Sequence, residues 1–197
     1  AGLALTGAIS YGIAHSSMSE FVLANQGTYL LLILLELGVV IGLSAAINRL
    51  SATVATLGFL LFAVLNGLTL SWIFLAYEPS SIYATFFVTS GTCVGLFGWL
   101  TKRDLSGIGG LCGMALWGLI LATIVNIFWT NSTVSLFISY AGVAIFVGLT
   151  AWDIQKIKQL SFAVEDGDVD TELGKKLAIF GALELYLDFV NLFLYIL

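Results

Sequence analysis

Residues 177–197 read LAIFGALELYLDFVNLFLYIL, a run in which every residue except Glu184, Asp188 and Asn191 is apolar, small or aromatic. At ~1.5 Å of rise per residue such a run crosses the ~30 Å hydrocarbon core of a bilayer as a helix. An ionisable side chain at that depth costs ~2.5–3.5 kcal/mol on insertion scales, and the default reason for keeping one is a path for cations or protons. Gly181, Glu184, Asp188, Asn191 and Tyr195 follow one another at spacings of three, four, three and four, which stacks them on one face of the helix. That face cannot look at lipid. The spacing predicts a helix standing against or within a bundle, its polar stripe lining a protected cavity.

The rest of the chain has the same character. Of its 197 residues 59% are hydrophobic and 10% charged, proline occurs once (Pro79), and the mean hydropathy is +1.04. No soluble domain of this size has that composition. Apolar runs and their polar breaks predict an all-α integral membrane protein, a seven-transmembrane-helix bundle forming a single domain over 1–197. Its helices are expected near 1–15, 28–48, 51–77, 80–101, 106–130, 133–158 and 174–197. The first apolar run has no basic region or cleavage site before it, so it reads as a helix whose start precedes this sequence and not as a signal peptide.

All seven basic residues fall in alternate breaks. Arg49 follows helix 2, Lys102 and Arg103 follow helix 4, and Lys156, Lys158, Lys175 and Lys176 flank the break between helices 6 and 7. The positive-inside rule makes that side cytoplasmic, with the amino terminus inside.

Further carboxylates lie in the other runs: Asp153, one turn from Thr150 in helix 6, and Glu36 in helix 2, which ends at Arg49. Counted at ~1.5 Å per residue, Asp153 from Lys158, Glu184 and Asp188 from Lys176, and Glu36 from Arg49, the acids lie about 7, 12, 18 and 20 Å deep. The acids thus read as a ladder, with ~11 Å of depth between the two aspartates by that rise. For Glu36 and Glu184 a protonated packing role competes with a functional one, and Arg49 could simply anchor a helix end. Asp153 and Asp188 have short stems that cannot snorkel far, which favours function. Two carboxyls brought together in a low-dielectric site cannot both ionise cheaply, so they titrate as a unit and also bind a divalent cation in competition with the proton. An arginine swinging between the acids would neutralise them without a metal.

Other motifs carry less. Asp166-Gly-Asp168-Val-Asp170 has the spacing of an EF-hand start, but Thr171 and Leu177 stand where its glycine and bidentate glutamate belong, so residues 161–174 read as a solvated acidic loop that caps helix 7. The pairs Gly38/Gly42, Gly91/Gly95 and Gly109/Gly113 predict close helix approach. Cys93 and Cys112 read as packing residues, and His15 as interfacial. One histidine at an outer edge excludes a Ser/His/Asp triad, and there is no H-E-x-x-H, P-loop or G-x-S-x-G. A retinal pigment needs a lysine deep in helix 7, where none stands. A membrane aspartyl protease stays open only because Asp153 and Asp188 lie on adjacent helices. No catalytic residue, enzyme activity, resident cofactor or nucleic-acid partner is expected.

The segments Gly148-Leu-Thr-Ala-Trp-Asp153-Ile-Gln-Lys-Ile-Lys158 and Leu185-Tyr-Leu-Asp188-Phe-Val-Asn-Leu-Phe193, with Ile-Asn-Arg49-Leu-Ser at the end of helix 2, resemble the Bax-inhibitor (transmembrane Bax inhibitor motif) family in a bacterial form. The resemblance covers essentially the whole chain. It implies helix 7 enclosed by the other six and a pH-sensitive Ca²⁺ leak across the bacterial cytoplasmic membrane. It further implies a proton-sharing dyad at Asp153 and Asp188, the oxygens that would meet the ion, with Arg49 able to pair with it in a closed state. If the aspartates meet, helix 6 or 7 must tilt or helix 7 must begin later. Glu36, Glu184 and Asn191 complete the expected pathway. The lipid bilayer, Ca²⁺ and protons are the expected partners. Two rivals stand beside this: an interaction protein regulating a membrane-bound protease, and a proton-coupled small-solute transporter, for which no inverted repeat is visible.

Overall fold

The computed structural model describes residues 1–19, 26–46, 49–99, 105–167 and 169–197. Among these there are seven helices and no strand: α1 (Gly2–Ala14), α2 (Gln26–Ala46), α3 (Ala52–Ala76), α4 (Pro79–Trp99), α5 (Ser106–Phe128), α6 (Ser132–Glu165) and α7 (Thr171–Ile196). Five of them, α2, α3, α5, α6 and α7, are long and apolar enough to cross a membrane. Helix α1 has 13 residues, and α4 is diluted by serines and threonines. Large apolar side chains stand exposed along the outer faces, Leu34 and Ile41 at 64%, Trp117 at 70% and Phe128 at 79%. Patches of that extent are sustainable only against lipid.

The expected boundaries that fall on described residues hold within a few residues except at one break; the expected ends of helices 2 and 4, at 48 and 101, lie outside the described residues. Helix α6 does not stop at Lys158 but runs to Glu165, and α7 starts at Thr171, before Gly174. The predicted acidic loop of 161–174 is therefore mostly helix, because Ser161–Glu165 contains nothing that breaks one. Asp166 and Gly167 turn the chain after α6, Gly167 with a left-handed φ of 80°. Asp170 caps α7 as expected, its Oδ2 accepting from the N–H groups of Glu172 (3.0 Å) and Leu173 (3.4 Å). The 34 residues of α6 span ~51 Å at 1.5 Å each, so ~20 Å must project beyond the hydrocarbon slab. Lys102, Arg103 and Asp168 lie outside the described residues.

Contacts sort the chain into two compact units. The first comprises Ala1–Ile82 and Ala163–Leu183. In it α1 lies along α3 on a seam of small residues: Thr6 Oγ1 donates to the carbonyl of Ala63 (2.9 Å) and Ser10 Oγ to that of Gly67 (2.8 Å). A side chain at Gly67 would strike Ile9 and the Thr6 carbonyl, so close approach and hydroxyl bonding act together. Helix α3 tightens into a 3₁₀ turn at Leu70–Trp72 and resumes over Ile73–Ala76.

The second unit comprises Tyr83–Phe162 and Glu184–Leu197. Its centre is Leu119, Phe146, Leu149 and Leu192, with Cys93 and Cys112 packed against them, as expected of small packing residues. Gln155 Oε1 receives the N–H of Leu105 (2.8 Å) at the start of α5, and Asn126 Nδ2 donates to Ser135 Oγ (2.8 Å) across the turn into α6.

The glycine expectation needs correction. Among the described residues, side chains added at Gly38, Gly42, Gly91, Gly95 and Gly113 would meet nothing within 4 Å. Only Gly109 of those pairs is covered, by the Trp152 ring. Regular spacing makes a smooth strip, but whether a helix lies on it depends on what stands opposite. The close approaches fall instead at Gly58 beneath Leu43, Gly142 beneath Tyr195 and Gly148 beneath Cys112.

Candidate functional site

Within the second unit α6 and the end of α7 run antiparallel in a fixed register. Lys156 meets Glu184, Asp153 meets Asp188, and Phe146 stacks on Tyr195 with centroids 5.6 Å apart. As the number rises along one helix it falls along the other. Depth counted from Lys158 misplaces Asp153, because the helix runs on to Glu165 and Lys158 marks no helix end. Lys156 lies level with Glu184, and Asp153 one turn back lies level with Asp188. Asp153, Glu184 and Asp188 thus form one cluster, and α7 begins earlier than expected, not later.

Asp153 and Asp188 are both buried, 5% and 7% exposed, and their carboxyls exchange a hydrogen bond. Asp188 Oδ2 has no hydrogen-bond partner among the described residues. An oxygen in that state costs ~1–3 kcal/mol or more. Thr150, the neighbour one turn along α6, is fully buried and spends its hydroxyl on the carbonyl of Phe146 (2.7 Å). Asn191 likewise turns its amide back onto the carbonyl of Leu187 (2.8 Å), leaving its oxygen as the group available to the site.

Glu184 Oε2 is held by Lys156 Nζ at 2.6 Å, the two side chains 25% and 43% exposed. The same ammonium lies 5.1 Å from the Trp152 ring centroid, a cation–π contact. Sequence reasoning placed Lys156 only as a cytoplasmic marker and missed it as a member of the cluster. The available signal was its spacing, three residues from Asp153 and four from Trp152, which puts all three on one side of α6.

These groups line a cavity of about 520 Å³ between α5, α6 and α7. Asp153, Glu184, Asp188 and Asn191 supply its polar wall. Leu116, Leu119, Ile120 and Ile124 of α5 face it, with Phe146, Leu149 and Trp152 of α6 and Leu187 and Tyr195 of α7 completing the apolar part. Among the described residues no group of three or more His, Cys, Asp or Glu is arranged to hold a metal ion.

The other expected residues belong to the first unit. Glu36 is half-buried on α2, accepting from the Thr69 hydroxyl and the Asn66 amide of α3. Thr69 ends the regular part of α3, so this acid is tied to the helix just before its 3₁₀ turn. Arg49 is exposed in the turn after α2, its N–H on the carbonyl of Ala46 (2.8 Å). His15 closes α1, its ring against Tyr11 and Nδ1 at 2.9 Å from the Tyr11 carbonyl.

An all-helical chain with five membrane-length apolar helices and acids gathered on a shared cavity is a multi-pass membrane protein. The family described as "Inhibitor of apoptosis-promoting Bax1" matches it over residues 1–197. The inner membrane protein YbhL of Escherichia coli K12 is 46% identical over 200 residues, covering all of this chain and 84% of that protein. Uncharacterized proteins of Borreliella burgdorferi and Deinococcus radiodurans are 39% and 40% identical over 199 residues, with the same coverage. The chain belongs to the Bax inhibitor family.

Proposed function

We propose that this protein is a passive, proton-gated Ca²⁺ leak in a bacterial inner membrane. The observation that supports the reading is the contact of two buried carboxyls, Asp153 and Asp188, on the wall of a cavity between helices long enough to span a bilayer. Two carboxyls that exchange a hydrogen bond hold a proton between them, because an ionised carboxylate only accepts. Loss of that proton sets like charges side by side in a site with little water. Repulsion then parts α6 from α7, and Ca²⁺ enters along Asp153, Asp188, Glu184 and Asn191. The other titratable groups facing the pair are Glu184, Lys156 and the thiols of Cys93 on α4 and Cys112 on α5. Arg49 serves as the countercharge of the closed state, and Glu36 as a further acid of the pathway.

The inner-membrane location follows the relative from E. coli, and the cytoplasmic amino terminus follows the one-sided basic residues. The test is Ca²⁺ entry into proteoliposomes from pH 5 to 8. Entry should rise with pH in the wild type, and Asp153→Asn and Asp188→Asn should each flatten the profile. If both variants keep the wild-type profile, the dyad is not the gate. Absence of flux at any pH would replace the leak by a regulatory partner of a membrane-bound protease, with co-purification surviving loss of both aspartates but not deletion of 161–173.

A further inference from the structure

The cavity has two features that a path for a hydrated dication does not require. It is large, about 520 Å³, within the ~300–1,000 Å³ typical of sites for small organic molecules. Its wall is mostly hydrocarbon and indole: Leu116, Ile120 and Ile124 on α5 oppose Leu149 and Trp152 on α6. The polar groups are confined to one side, and one buried oxygen there, Asp188 Oδ2, lacks a partner. A ligand that completes this site carries one hydrogen-bonding positive charge and an apolar body.

We propose that the cavity binds an amphiphilic organic cation, a primary ammonium on an alkyl or aryl-alkyl body. The ammonium would donate to Asp188 Oδ2 and to Asp153, and the pair would release its shared proton to solvent in exchange. Its three donors match an acceptor-only cluster, whereas a quaternary ammonium would leave Asp188 Oδ2 unbonded. Lys156 makes the same argument in place: its ammonium already rests on Glu184 and the Trp152 face, so the cluster accommodates this chemistry at its edge. The apolar body lies against α5, where desolvation adds affinity that a small inorganic cation cannot obtain. This inference deepens the Ca²⁺ reading by assigning its cavity a competitor for the same two acids, and it rests on that reading only for its physiological meaning.

The experiment is fluorescence quenching of the purified protein in nanodiscs at pH 7 by 8-bromooctylammonium, with 8-bromooctan-1-ol as its neutral twin. The signal from Trp152 is isolated by subtracting Trp152→Phe. The expected result is saturable quenching of Trp152 at a concentration at least tenfold lower for the ammonium than for the alcohol. In Asp188→Asn that ratio should fall below threefold, and Asp153→Asn gives the same readout should the first variant not fold. Equal quenching by both probes in the wild type, or a ratio unchanged in the variants, overturns the proposal and reduces the effect to membrane partitioning. The measurement needs no ion flux. Selective quenching in a protein that passes no Ca²⁺ keeps this site and discards the leak, and Ca²⁺ entry without selectivity does the reverse.

Discussion

The charge balance of the cluster makes a quantitative test of how the two aspartates are controlled. With one proton shared by Asp153 and Asp188, the group formed by these two, Glu184 and Lys156 carries one net negative charge. Lys156→Met adds one negative charge, Glu184→Gln removes one, and the double variant returns to the starting value. Glu184 lies one helical pitch, ~5.4 Å, from Asp188. A unit charge at that distance is worth ~3 kcal/mol at an effective dielectric constant of 20 and ~0.8 kcal/mol in water. Because the Lys156 side chain is 43% exposed, the lower part of that range applies, about 1 pH unit at ~1.4 kcal/mol per unit. More negative charge keeps the shared proton on the pair to higher pH, so opening is delayed. The midpoint of Ca²⁺ entry into proteoliposomes should therefore move up by about one unit in Lys156→Met and down by about one unit in Glu184→Gln. In the double variant it should return to within ~0.3 unit of the wild type, the size at which coupled effects become measurable. Midpoints are compared, not amplitudes, since Glu184 also lines the proposed ion path. Single variants that move the midpoint the same way, or a double variant that fails to restore it, would refute electrostatic control of the pair.

Three further outcomes follow from the packing. Gly67→Val drives a side chain into Ile9 and the Thr6 carbonyl, and should lower the melting temperature in detergent by several degrees, an overpacking cost of ~1–3 kcal/mol. Thr6→Val on the same seam removes one buried hydrogen bond and should cost only ~0.6 kcal/mol, so the two melting shifts should differ clearly. Asp170→Ala deletes the cap of α7, which should speed amide exchange at Glu172 and Leu173 and cost ~1 kcal/mol without moving the pH midpoint of flux.

Much of the architecture is written in the apolar runs, since membrane-length helices leave little choice of secondary structure. The failures have one origin. Reading lysines as markers of the bilayer edge ends helix 6 at Lys158, stretches the following loop and spreads Asp153, Glu184 and Asp188 over a ladder. In the structure Lys156 belongs to the cluster, and its ion pair with Glu184 lies one turn from the contact of Asp153 with Asp188. Which residues meet across two helices depends on their relative sliding, and hydropathy is blind to that. The same limit governs the glycines: Gly109 and Gly113 look alike in sequence, but only Gly109 has Trp152 above it.

The antiparallel register of α6 and α7 also restricts how the cavity can open. Three contacts at three levels, Lys156 with Glu184, Asp153 with Asp188 and Phe146 with Tyr195, act like teeth of matched racks. A piston-like slide by one turn would have to break all three at once and would lodge the Tyr195 ring against side chains instead of against Gly142. Prying the racks apart from the acidic end breaks them one at a time and can leave the Tyr195 tooth seated. In the proposed leak, electrostatic repulsion at the aspartates would therefore act on a lever with its fulcrum at Gly142, its stroke set by the two helical turns between Asp188 and Tyr195.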